Sequence, residues 1–157
     1  MKPQDLLKIW NRFKHLPAAN VFVSRLLGFA VPYTGNLGAT ITKLEPGDVE
    51  IVLNPRRKHQ NHLRSVHAMA LANLGEFASG IALYTQLPPA KRAILVGFQI
   101  EYLKKARGKL TAKCQVPVQA SDAKAETRVK ADIFDANGNK VCFVEAKWLV
   151  GDEPTAA

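Results

Sequence analysis

The chain has 157 residues, 47% of them hydrophobic, which suffices for one sizeable core and is too short for two ordinary domains. Its 22 Lys and Arg against 13 Asp and Glu give a formal net charge of +9, and the field of the whole molecule therefore favours anionic partners. Only two cysteines occur, Cys114 and Cys142, without CxxC spacing or histidine neighbours, so no metal site is expected and two buried thiols in a reducing compartment are.

At the N-terminus, Lys2, Asp5, Lys8 and Arg12 interrupt the apolar residues, unlike a signal peptide. No run reaches the length of a membrane span, and the expectation is a soluble, cytoplasmic protein with no membrane partner. Leu6, Leu7, Ile9, Trp10 and Phe13 recur at helical spacing, Pro17 ends the pattern, and a second apolar stretch covers 21–29; two short helices are predicted within residues 1–30. Residues 37–44 and 49–53 alternate or are β-branched, and Glu45-Pro46-Gly47-Asp48 between them suits a type II turn of a β-hairpin. Residues 54–65, polar and basic, read as an exposed connection.

Residues 66–83 are rich in Ala and Leu, free of Pro and apolar on nearly every side, which predicts a buried helix wrapped by other elements. Its Gly75 and Gly80 each cost helix stability of roughly 1 kcal/mol, which points to close approach of a neighbouring backbone. After Pro88-Pro89 come four strand-like runs, 93–103, 109–119, 126–135 and 140–150. Thr127, Val129, Ala131 and Ile133 alternate with charged residues, as do Cys142, Val144, Ala146 and Trp148, so each strand turns one face to a core. Asn137-Gly138 predicts a type I′ hairpin, and residues 151–157 a loose tail. The sum is a single α+β domain over residues 1–157, a curved antiparallel sheet wrapping one long central helix, with extra N-terminal helices.

Glu76 is the only acidic residue in 66–83. Burying an unpaired carboxylate costs on the order of several kcal/mol, so Glu76 is paired with a strand Lys or Arg, wet at a helix edge, or catalytic. His67 falls at the start of the same helix, where backbone N–H groups such as that of Ala68 favour developing negative charge, although His67 also suits plain local packing and Ser65 an ordinary N-cap. Asn61 is a turn residue or a group that positions water or a carbonyl. Two basic clusters, Arg56-Arg57-Lys58 and Lys104-Lys105-Arg107-Lys109, are either solvated rims or phosphate binders. No Gly-rich phosphate loop, zinc-protease motif or Gly-x-Ser-x-Gly elbow is present, which speaks against nucleotide hydrolysis, metalloproteolysis and serine hydrolysis.

Taken together, Asn61, His67-Ala68, Glu76 and the stretch from Tyr102 to Gly108 resemble hotdog-fold acyl-coenzyme A thioesterases, above all the phenylacetyl-coenzyme A (PaaI-like) type and its uncharacterised relatives. The resemblance implies that Glu76 is general base or nucleophile, that Asn61 orients water or substrate, and that the N–H of Ala68, after His67, polarises the thioester carbonyl. It also implies a homodimer, or a dimer of dimers, joined edge to edge, with Asn61 and Glu76 of one site on different subunits. Coenzyme A enters only as part of the substrate, with no further cofactor, and Arg107, Lys105 and Arg57 are the expected contacts to its phosphates. Two departures are Ala68-Met69 where the family type has Gly-Gly and Glu76 where it has Asp; a Ser or Thr supplied by the next strand in some relatives has no assigned position here.

Three rival readings remain at this level. One is an acyl-coenzyme A-binding hotdog protein without turnover. A hydratase or dehydratase is disfavoured by the lack of a His-containing Pro-Gly motif, and nucleic-acid binding rests on charge alone, without aromatic-basic interleaving.

Overall fold

The computed structural model describes residues 3–117 and 125–152. Helix α1 (Pro3–Phe13) buries Leu6 and Trp10 one turn apart, and α2 (Ala19–Ala30) buries Val23 and Leu27 at the same spacing. A third helix absent from the sequence reading, the single turn α3 (Pro32–Gly35), begins on Pro32, whose fixed φ suits a first helical position. Leu37 N–H donates to Thr34 O (3.0 Å) and Gly38 takes φ 64°, so β1 (Thr40–Glu45) starts three residues later than expected.

The β1–β2 (Asp48–Leu53) hairpin turns at Pro46-Gly47, where Gly47 has φ 72°. Its N–H donates to Thr85 Oγ1 (2.9 Å) and its C=O accepts from Val116 (2.7 Å), so the turn is locked to the end of the central helix and to the sheet. The connection at 54–65 is less exposed than its composition suggests. A 3-10 turn (Arg57–His59) buries His59, and Ser65 is buried as well.

Helix α4 (Ala68–Tyr84) is the centre of the molecule, with Leu71, Leu74, Ala78, Ala82 and Leu83 in the core. Strands β3 (Lys91–Tyr102), β4 (Leu110–Gln115), β5 (Ala125–Phe134) and β6 (Lys140–Asp152) follow. All six strands form one antiparallel sheet in the order β1-β2-β4-β5-β6-β3, and α4 packs on β2 through β6. This is the hotdog arrangement. What α4's glycines admit are β6 side chains, not backbone: an added Cβ at Gly75 would overlap Val144, and one at Gly80 would stand 3.2 Å from the Trp148 ring.

Two strand ends and one turn differ from expectation with structural consequences. β4 stops at Gln115, ahead of Pro117, and the last two residues of its expected run, 118–119, lie outside the described residues. β6 continues through Gly151 and Asp152, which the sequence reading assigned to a tail; Lys91 Nζ meets Asp152 at 2.7 Å there, and 153–157 lie outside the described residues. The β5–β6 hairpin exists, but its turn is not type I′, because only Gly138 has positive φ (79°). Gly138 N–H donates to Asp135 O (3.1 Å), and the Asp135 carboxylate accepts from the N–H groups of Asn137 and Asn139 (both 2.9 Å). Asp135 thus stabilises a type I turn followed by a left-handed glycine.

Edge strand β3 carries a bulge. Leu95 pairs with Trp148 and Gly97 with Lys147, leaving Val96 as an extra residue. Ala93 and Leu95 face inward before it, and Phe98, Ile100 and Tyr102 after it, opposite the buried Ala146, Val144 and Cys142.

Candidate active site

Glu76 sits mid-way along α4, half-buried among the buried Leu74, Gly75, Ser79 and Gly80. Among the described residues nothing donates to or pairs with its carboxylate, and burial alone raises its pKa above the usual 4.5. The pairing with a strand cation that composition allowed is not made among the described residues.

Two clefts meet at this carboxylate. One, of ≈ 420 Å³, lies under α1 and α2 and runs along Phe77, Gly80, Ile81 and Tyr84, with Trp148 at its side. The other, of ≈ 410 Å³, is shallower and opens past Met69, Asn73, Leu95 and Phe98 toward the β3 edge. Val31 and Thr34 line both. Thr34 is a buried residue whose hydroxyl has no hydrogen-bond partner among the described residues, so it is a polar group beside Glu76 that the sequence reading missed. Nothing in the sequence singles it out, since its position depends on the unexpected α3. Strand β3, which follows the helix, contains no Ser or Thr.

The first turn of α4 is capped by His67 and not by Ser65. His67 Nδ1 accepts the Met69 N–H (3.1 Å), and its C=O accepts from Ala70 (2.9 Å) and Leu71 (3.2 Å). That leaves the Ala68 N–H without an acceptor among the described residues, at the positive end of the helix dipole. Tyr102 Oη donates to Ala68 O (3.1 Å) and pins this turn to β3.

Ser65 instead bonds to Asn61, whose Oδ1 accepts from Leu63 N–H (2.9 Å), Ser65 N–H (3.2 Å) and Ser65 Oγ (3.2 Å). The Asn61 amide oxygen is committed to shaping the loop, in which Arg64 takes φ 55°, and the amide nitrogen is the group left to donate elsewhere.

Both basic clusters reach the same end of α4. His67 N–H donates to His59 O (2.7 Å), which closes the Arg57 turn onto the cap, and Val66 N–H donates to Ala106 O (2.8 Å), which sets Lys105 and Arg107 beside it. Arg57, Lys105 and Arg107 are all exposed. Burial first, and then Lys58 and Arg56, lower the His59 pKa below its ordinary value.

Ala68 and Glu76, by contrast, are separated by eight residues of helix, about 12 Å. One chain does not bring them to one carbonyl. Cys114 and Cys142 are buried thiols pushed up to about 12, mainly by burial, and are not nucleophiles. Among the described residues no group of three His, Cys, Asp or Glu is disposed to hold a metal ion, and no helix is long and apolar enough to cross a membrane.

A family model described as a domain of unknown function, DUF4442, matches residues 19–150. No curated protein matches the sequence. Among solved structures, the structural-genomics protein APC5556 is 26% identical with a TM-score of 0.81, covering 96% of this chain and 99% of its own. A Pseudomonas aeruginosa protein of unknown function, described as a probable thioesterase, is 20% identical with a TM-score of 0.75, covering 88% of this chain and 97% of its own. A thioesterase family protein from Silicibacter pomeroyi is 19% identical with a TM-score of 0.71, covering 83% and 96%. At these identities the likeness is one of fold.

Proposed function

Since the chain belongs to the DUF4442 family, matched over residues 19–150, and has the hotdog fold, we propose that it is a thioesterase that hydrolyses acyl-coenzyme A to free acid and coenzyme A. The observation that carries this reading is Glu76, a half-buried carboxylate with no partner among the described residues at the junction of two clefts. An acid held above its usual pKa in a cleft is suited to take a proton near neutral pH.

Glu76 removes a proton from water as the water oxygen attacks the thioester carbon, and the carbonyl oxygen becomes an oxyanion. The carbonyl then re-forms, the C–S bond breaks, and the thiolate takes up the proton. A thiol of pKa about 8.5 needs little acid assistance to leave, which suits a site with one carboxylate. The oxyanion is received by the Ala68 N–H of a second copy, because the two groups are about 12 Å apart within one chain. The same second copy supplies the Asn61 amide to orient the reactants, and Arg57, Lys105 and Arg107 around His67 meet the coenzyme's phosphates.

In thiol-release assays across an acyl-coenzyme A panel, Glu76→Gln is expected to lower kcat by about 10²–10⁴-fold with binding retained. Undiminished turnover would remove Glu76 from the mechanism. Binding without turnover by the unsubstituted protein would make it an acyl-coenzyme A-binding protein instead.

A further inference from the structure

We infer that the acyl group this site takes is an unfunctionalised, medium-chain hydrocarbon, seated in the chamber that α1 and α2 roof over α4. The inference rests on the thioesterase reading and adds the chemistry of the substrate's tail. Glu76, Gly80 and Tyr84 follow one another at four-residue spacing along one face of α4, so the chamber extends about 12 Å from the carboxylate. Leu6, Leu27 and Val31 form the roof.

Its side-chain polar atoms are spoken for everywhere except at the reacting end. Tyr84 Oη donates to Ala93 O (2.7 Å), and Trp148 Nε1–H donates to Ser79 Oγ (3.3 Å), which itself donates to Glu76 O (2.8 Å). Only the Glu76 carboxylate and the Thr34 hydroxyl remain, both where the carbonyl would lie. A hydroxyl or carboxylate further along the tail would be buried without a partner, whereas each methylene leaves water for an apolar wall.

Gly80 fits this role. A Cβ there would stand 3.2 Å from the Trp148 ring and 4.0 Å from Glu76 Oε1, closing the throat beside the carboxylate, so the glycine that weakens the helix keeps the passage open. Leu6 belongs to α1, which precedes the residues matched by the family model, so part of this chamber lies outside that match.

The experiment measures kcat/KM for straight-chain acyl-coenzyme A thioesters of rising length and for ω-hydroxy and ω-carboxy counterparts. It uses the unsubstituted protein, Gly80→Ala, and Ala30→Phe, which fills the chamber from an exposed position of α2. The expected result is a rise of about fourfold per methylene up to a maximum, at least about tenfold weaker hydrolysis of the polar-ended counterparts, and a maximum shifted to shorter chains in both variants. In parallel, quenching of Trp148 emission by free fatty acids in a Trp10→Phe background reads the chamber without turnover, as Trp10 and Trp148 are the only tryptophans. Hydrolysis with no length dependence and no penalty for polar ends overturns the inference and leaves the thioesterase reading standing. Length-dependent quenching with no hydrolysis of any thioester overturns the thioesterase reading and supports the chamber. If neither responds to chain length, the chamber assignment is wrong.

Discussion

Burial that holds a carboxyl above its usual pKa makes the folded chain less stable once that carboxyl ionises, and Glu76 is the group concerned. Its folded pKa exceeds the unfolded value of about 4.5, so the folded state binds the proton more tightly; stability is greatest below about 4.5 and falls as pH rises through the folded pKa. Glu76→Gln is therefore expected to melt at a higher temperature than the unsubstituted protein at pH 7, with the difference shrinking below pH 4.5, as read by thermal melts at the two pH values. The acid limb of kcat/KM should titrate above 4.5 for the same reason. Glu76 was legible in the sequence because it is a lone charge in an apolar helix. Thr34 was not, since an unremarkable hydroxyl gains meaning only from the two clefts it lines. Asn61 shows how resemblance and geometry divide: the family resemblance implies a site role for it, while the structure gives its oxygen to Leu63 and Ser65.

Individual elements followed from periodicity wherever one face is buried along their whole length. β5 and β6 alternate as read, and α4 is buried as its composition demands. Element ends escaped because local hydrogen bonds decide them: Leu37 closes α3, Asp135 selects the turn, and Val66 pairs with Gln60 while its N–H donates to Ala106, so neither begins nor joins the helix. The requirement on Gly75 was visible, but not what presses on it. Gly75→Ala is expected to destabilise by about 1–3 kcal/mol, because its Cβ would overlap Val144 and a packed core yields little. Combining it with Val144→Ala should cost less than the sum of the two single changes, a coupling measurable by urea unfolding.

At the scale of the whole molecule, β3 is an unpaired edge of twelve residues with Ile94, Val96 and Phe98 exposed. Such an edge invites pairing with another strand, and a second copy of β3 is its expected partner. Under the proposed mechanism, the separation of about 12 Å between Ala68 and Glu76 calls for the same arrangement. Val96→Lys places a charge on that edge, away from the clefts at Glu76. It should leave the circular dichroism spectrum unchanged, shift the sedimentation mass toward one chain, and lower turnover in step with the loss of pairing. Full turnover by a demonstrated monomer would mean that one chain holds the whole site. Arg57, Lys105 and Arg107 were grouped at the sequence level only by the family resemblance; the backbone bonds from His67 N–H to His59 O and from Val66 N–H to Ala106 O are what bring their two segments to one end of α4.

The bulge at Val96 sets the parity of everything downstream of it. Upstream, odd-numbered residues of β3 face the core; downstream, even-numbered ones do. Were Val96 paired as a regular residue with the upstream register held, it would face Lys147, Gly97 would face Ala146, and Phe98 and Tyr102 would turn outward; deleting Val96 would instead leave Leu95 and Gly97 on the consecutive Trp148 and Lys147 and keep both rings in place. Setting that one residue aside, far from Glu76 in sequence, is thus what lets an aromatic ring wall one cleft and a phenol reach Ala68 O.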